Sequence, residues 1–472
     1  MNNKTSIISV LNPAKKIAGI LKLGLLMFGL LFLQPAVAQQ KIDLQTAVKM
    51  AVANNPLVKA NKSKVKQAQA KTEQVKTSFL PQLNALSKYF YTNNTPNFYP
   101  LLGKQVPVMN NNTPTGDYII MHPMAPYPDL DRDIMTNDLN LIYPIYTGHK
   151  RESALKMTQK LQEAYKNNVQ ESEADVGYQV KSLFYNYLML NAVIDVYQDV
   201  LKQLNAHMNL AKEAYKQGVR SEFDIINFES KIEEFKTKII EFEGKRDVVK
   251  TAMERLIGIP DGQEVDFVGD INKLYQKDLM TQMASTEDLV ANNSKIKFLN
   301  GMQSVLDEKI NMTKAADLPV LFAFGNYHIY HGMDFPPFDK TWRNGYAVGV
   351  GLKMNLFNGN KSRYQIDETR AKQEELEQYK DGLRLKLHIE HEKVKEQIKS
   401  LEAQKKSMET HLKVAQKAYE IAQTAYKNGV ITNIELNDVQ LRLAKVRIGI
   451  LKTEKEILAQ KAYLKMLEGQ IE

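Results

Sequence analysis

His388 and His391 stand three apart in a long polar-apolar run, a spacing that lets two imidazoles share a metal ion on one helix face. No further ligand lies near them in sequence, so they read as part of a solvated helix face. Met121-His122-Pro123-Met124 offers soft donors, but it sits in a stretch crowded with Pro, Asn and Tyr and reads as exposed loop. The phosphate-cradling GxxxxGK followed by Ser or Thr, the zinc-binding HExxH and the nucleophile elbow GxSxG are all missing. Cysteine is absent, which removes thiol catalysis, thiolate metal sites and disulfides. Catalysis is left without a candidate, and no cofactor or metal is implied. What remains is acidic: Glu435 and Asp438 lie three apart, on one side of what would be the first turn of a helix. Their plainest role is to complement the helix dipole there, with Glu435 completing a capping box.

The elements that must position these acids are announced by a repeated stretch. Ala214 to Asn227 reads AYKQGVRSEFDIIN, and Ala425 to Asn437 reads AYKNGVITNIELN. Each copy places a glycine, Gly218 or Gly429, after a long periodic run, where a left-handed residue closes a helix. Each then restarts one: Thr432 stands three before Glu435, and Ser221 three before Asp224, both in capping-box order. The repeated stretch joins the end of one helix to the start of the next.

The offset between the copies holds along the chain. Gly148 and Gly359, Gly218 and Gly429, and Gly258 and Gly469 are each 211 positions apart. Upstream, Pro56 pairs with Ser294 and Pro81 with Pro319 at 238, so the first copy carries 27 extra residues between Pro81 and Gly148. Each half reads as a helix (about Leu44 to Phe79; Asp288 to Ala315), a strand pair, a very long helix (about His149 to Lys216; Asn360 to Lys427), the turn, and a return helix (about Glu222 to Ile257; Asn433 to Leu467). At 1.5 Å per residue the long helices predict rods of roughly 100 Å. The expected organisation is a first repeat over 39–258, a linker over 259–284 rich in Asp, Gln and Gly, and a second repeat over 285–472.

Residues 1–38 carry Lys4, Lys15, Lys16 and Lys22 with no acid, then an apolar run and Ala36-Val37-Ala38, the signature of a secretory signal peptide cleaved near Ala38/Gln39. Its loss takes four charges off the formal +9, leaving about +5, too mild a balance for a nucleic-acid footprint. Lipid attachment through cysteine is excluded by composition. Beyond residue 38 no apolar stretch approaches the roughly 20 residues of a membrane helix, so any crossing must use strands.

The strands have the pattern for it. Tyr346, Val348, Val350, Leu352, Met354 and Leu356 alternate with Ala347, Gly349, Gly351, Lys353 and Asn355. Leu139, Leu141, Tyr143 and Ile145 likewise oppose Asp138 and Asn140, while Tyr89, Tyr91, Tyr327, Tyr330 and Trp342 sit where an interfacial aromatic girdle would lie. Four strands cannot close a barrel, and open edges are not tolerated in lipid. Other copies of the chain must therefore complete it; three would supply an even, 12-stranded barrel. The inserted stretch, roughly Thr92 to Asn137, is expected to be a long extracellular loop.

The two YxxG turns followed by an acid (Tyr215, Gly218, Asp224; Tyr426, Gly429, Glu435), the LPxL junctions and the strand exit at Asn355, Phe357 and Gly359 make the chain resemble the TolC-like outer membrane efflux duct family over essentially all of 39–472. The resemblance implies an α+β membrane protein: a homotrimer with a 12-stranded β-barrel in outer membrane lipid, continuous with a long periplasmic α-helical barrel. It implies a passive exit for an inner membrane pump of the RND, ABC or MFS type, joined through a periplasmic adaptor protein in a Gram-negative cell, with no enzymatic activity. Carried onto this sequence, Gly218, Val219, Arg220, Ser221, Gly429, Val430, Ile431 and Thr432 become adaptor-docking tips. Tyr426, Glu435, Asp438 and Asp224 become the periplasmic aperture. One departure stands out: the family's basic residue just after the second turn is Ile431 here, while Arg220 lies in the first turn and Asp224 has no obvious partner across. The resemblance thus leaves the latch of the closed tip in doubt, or rearranged around Arg220. A periplasmic adaptor would instead show one coiled coil flanked by small β domains, and an adhesin or receptor would act through the 92–137 loop.

Overall fold

The computed structural model describes residues 40–92, 105–120, 132–260, 262–278, 285–332 and 341–471. The expected signal peptide and the Met121–Met124 motif lie outside them. The elements run β1 (Gln40–Ile42), α1 (Leu44–Asn54), α2 (Pro56–Lys76), β2 (Gln82–Thr92), β3 (Gln105–Asn110), β4 (Thr113–Ile120), β5 (Arg132–Tyr146), α3 (Lys150–Lys216), α4 (Glu222–Ile257), β6 (Val265–Phe267), α5 (Ile271–Asp278), α6 (Thr286–Asn292), α7 (Ser294–Lys314), β7 (Val320–His331), β8 (Arg343–Lys353), α8 (Lys361–Lys427) and α9 (Asn433–Leu467). The chain divides into two units, one of residues 60–170 and 290–387, the other of the remainder. The long helices α3 and α8, 67 residues each, contribute to both. Among the described residues no helix is long and apolar enough to cross a membrane.

The sheet unit contains one four-stranded antiparallel sheet in the order β2-β5-β7-β8, so β2 and β8 are its open edges. Alternation sorts its side chains onto two faces. On β8, Tyr346, Val348, Val350 and Leu352 are 70–79% exposed in the single chain, an apolar row that none of the described residues covers. Tyr89, Tyr91 and Trp342 are also exposed. The opposite face puts aromatic rings over glycines: a Cβ on Gly351 would stand 2.5 Å from Phe322 Cζ, and one on Gly349 3.0 Å from Phe324 Cζ. The inserted stretch is not all loop, since β3 and β4 form a separate antiparallel hairpin within it and β5 already begins at Arg132.

The helical unit holds the turns. Its core gathers Leu204, Phe228, Ile232, Phe235, Tyr419 and Leu436 from α3, α4, α8 and α9. The expected linker carries its own structure: β6 pairs in parallel with β1, and α5 is held by Lys461, whose Nζ donates to Asp278 O at 3.2 Å. The single helices expected at 44–79 and 288–315 are each broken. Asn55 lies outside helical dihedrals at φ −59°, ψ 127°, because a residue before proline avoids the helical region. Asn293, at φ −57°, ψ 122°, breaks the other by capping Lys295 N and Ile296 N with its own side chain.

Candidate functional site

Both turns are built on a left-handed glycine. Gly218 has φ 74° and Gly429 φ 76°, where a Cβ would be strained, so glycine closes each helix without that cost. In the first turn Gly218 N donates to Tyr215 O and Val219 N to Ala214 O, both at 2.9 Å. In the second, Gly429 N donates to Tyr426 O at 3.1 Å and Val430 N to Ala425 O at 2.9 Å. These 6→1 and 5→2 bonds satisfy the carbonyls that a helix end leaves open. The residues at the crests, Val219 and Val430, are 68% and 76% exposed, and Phe223, Ile226 and Ile434 beside them are also exposed. Ser221 and Thr432 are exposed, while Arg220 and Ile431 are half-buried.

The restarts differ between the copies. Thr432 and Glu435 form the full capping box: Glu435 N donates to Thr432 Oγ1 at 3.2 Å, and Glu435 Oε2 accepts from Thr432 N at 2.8 Å and from its hydroxyl at 2.9 Å. Those bonds hold the Glu435 carboxyl below its ordinary pKa, the backbone N–H contributing most. Ser221, expected to do the same with Asp224, makes no side-chain cap. The Asp224 carboxylate instead faces the Arg220 guanidinium at 4.0 Å, with both side chains largely covered.

Arg220 is the link that neither copy alone would suggest. Its Nη2 donates to Tyr426 O at 3.0 Å and to Ile431 O at 3.3 Å, and its guanidinium lies 4.6 Å from the centre of the Tyr426 ring. One cation thus satisfies two carbonyls of the second turn while resting on its aromatic ring and facing an acid of the first. A second link is the side chain of Asn433, 1% exposed, whose Nδ2 donates to Asp224 O at 3.3 Å.

Tyr426, expected to line an aperture, is buried within its own chain at 4% exposure, against Phe228 and His207. Burial pushes its hydroxyl pKa up, and among the described residues its OH has no hydrogen-bond partner. Tyr215, its counterpart 211 positions earlier, is 46% exposed. His207 Nε2 meets Tyr419 OH at 3.1 Å, and burial pushes the imidazole pKa down. Asp438 is exposed. His391, expected on a solvated face, is buried, with Nδ1 at 2.8 Å from Thr286 Oγ1. The sequence reading missed His207 and Asn433; Asn433 was open to it as the first residue after the Thr432 cap.

A family model described as outer membrane efflux protein matches residues 47–259 and 288–470. No curated protein sequence matches the chain. Among solved structures, the chain is similar in fold to CusC, studied in its folding and transmembrane channel formation (13% identity, TM-score 0.69, covering 90% of this chain and 92% of that one). It is similar to the outer membrane protein VceC of Vibrio cholerae (15%, 0.65, 91% and 97%) and to the open state of the MtrE outer membrane channel of Neisseria gonorrhoeae (13%, 0.68, 90% and 89%).

Proposed function

Because the chain belongs to the outer membrane efflux protein family, whose members are channels and not enzymes, we propose that it is the exit duct of a tripartite efflux or type I secretion system. In this reading three copies of the sheet close a 12-stranded barrel in the outer membrane. The paired turns meet a periplasmic adaptor, which delivers cargo from an inner membrane pump of the RND, ABC or MFS type. The observation that carries the reading is the sheet: an apolar row on β8 that no described residue covers, and two open edges, fit a sheet whose row faces lipid and whose edges are paired by further strands. The exposed apolar crests Val219 and Val430 suit the turns to a helical partner.

The test is substitution at the turns. Gly218→Pro and Gly429→Pro cannot take φ values of 74° and 76°, so the docking surface should be lost while the sheet unit is untouched. Cells carrying both should accumulate cargo although the protein still reaches the outer membrane. Unchanged efflux with both substitutions would remove the turns as the docking surface.

A further inference from the structure

The sheet's second face carries an ordered set of side chains that the duct reading does not use. Register alone stacks them in rows. Phe322 opposes Gly351 and Phe324 opposes Gly349; the next row is Asn84, Asn140 and Asn326, joined by a bond from Asn326 Nδ2 to Asn140 Oδ1. Above it Asp138 opposes His328, and the row beyond sets Lys88, Thr136, Tyr330 and Arg343 in one line across the four strands.

Two features of this face point to a ligand. The first is the floor under the rings. A Cβ at Gly351 or Gly349 would stand 2.5 Å or 3.0 Å from the ring tip above it, so the absence of side chains there lets Phe322 and Phe324 lie down against the backbone. Their centroids are 6.2 Å apart, which makes a low apolar shelf rather than a plug. The second is charge. Among the side chains described on this face, Lys88, Arg343 and Lys353 are basic and only Asp138 is acidic. The other face is the apolar one, so in a closed barrel this face lines the lumen. Three copies would then place a net of about six positive charges inside low-dielectric walls, which focus a field on whatever passes.

We propose that the inward face of the sheet selects its cargo, favouring anions that carry a flat apolar part: Phe322 and Phe324 offer a stacking surface beside Lys353, and the Lys88–Arg343 row, about 20 Å further along the strands, draws anions into the lumen. The proposal rests on the duct reading. It is tested with the full-length protein in planar bilayers, using pyrene tetrasulfonate added from the outer side as the flat anion and spermine as the polycation. Pyrene tetrasulfonate should block the current and spermine at the same concentration should not. Lys88→Glu with Arg343→Glu should raise the blocking concentration by about tenfold or more. Asp138→Asn should lower it, which tests the charge argument even if the double variant fails to insert. Phe322→Ala with Phe324→Ala should weaken block by pyrene tetrasulfonate but not by myo-inositol hexakisphosphate, which has charge without a flat aromatic face. A current blocked equally by the anion and the polycation, or block indifferent to the charge substitutions, overturns the proposal. A protein that forms no conducting pore at all sinks the duct reading itself.

Discussion

Arg220 and Ile431 occupy matching places 211 residues apart, and the difference between them decides how the two turns are built. The guanidinium draws Asp224 away from the Ser221 cap and takes two carbonyls of the second turn. Arg220→Ala should therefore leave Tyr426 O with the Gly429 N–H alone and take from Ile431 O its guanidinium donor, lowering the stability of the turn region by about 2 kcal/mol, the usual scale for hydrogen bonds to a charged group. Hydrogen exchange at Gly429–Ile431 should report it, and protection equal to wild type would show the link to be idle. The caps give a sharper contrast. Thr432→Ala removes a formed cap and should cost about 1 kcal/mol, whereas Ser221→Ala removes none and should be nearly silent in the same thermal melt. His207 sets a pH dependence. Its folded pKa lies below the ordinary value near 6.5 because burial disfavours the charged ring. As pH falls the unfolded chain takes the proton first, so stability held above that value is lost below it, until the folded imidazole also protonates. Melts between pH 7 and pH 5 should show this loss, and His207→Gln should flatten it.

At the scale of elements, β7 and β8 depend on glycine being where the rings are. Gly351→Val would drive a branched side chain into the space of Phe322, costing about 1–3 kcal/mol by overpacking and tipping the ring away from the sheet. The assembled protein should then dissociate at a lower temperature in detergent, and Phe322→Ala in the same chain should restore it; a double variant no better than the single would mean the contact is not the cause. The β8 alternation could be seen in the sequence because the side-chain period of a strand is a local property, and β8 keeps it from Arg343 to Lys353. The turns were visible for the same reason: a glycine after a periodic run marks a helix end within a few residues. The break before Pro56 had a local signal that a longer periodicity overrode, while the one at Asn293 lacks proline and comes from a side-chain cap. The β1–β6 pairing joins residues more than two hundred positions apart, and so does the reach of Arg220 to Tyr426 and Ile431. The β1–β6 pairing leaves no trace in spacing, whereas Arg220 and Ile431 stand one repeat apart and Arg220 is where the sequence puts a rearranged latch; which atoms the guanidinium reaches depends on how the helices pack after they form. The exposed Tyr215 and buried Tyr426 make the point most clearly, since equal letters 211 apart receive unequal surroundings.

At the scale of the whole molecule, the sheet's open edges at β2 and β8 require partners before lipid can surround them. The assembled form should be a trimer, and analytical ultracentrifugation in detergent that found a stable, conducting monomer would refute it. Threefold symmetry would also bring three copies of the Glu435–Asp438 pair around one axis at the periplasmic end, where a ring of carboxylates in a confined mouth concentrates cations. The capping geometry apportions that charge. Glu435 Oε2 already accepts two bonds from Thr432, so its charge is partly spent on the helix start, whereas Asp438 is exposed. Asp438→Asn should thus weaken block by trivalent cations from the periplasmic side more than Glu435→Gln does. Glu435→Gln should be the variant that loosens the second turn. Recordings on both, paired with thermal melts, separate the roles: block as tight as wild type in the double variant would leave the two acids with helix capping and dipole compensation alone, and a larger effect from Glu435→Gln would place the field at the cap instead of one turn beyond it.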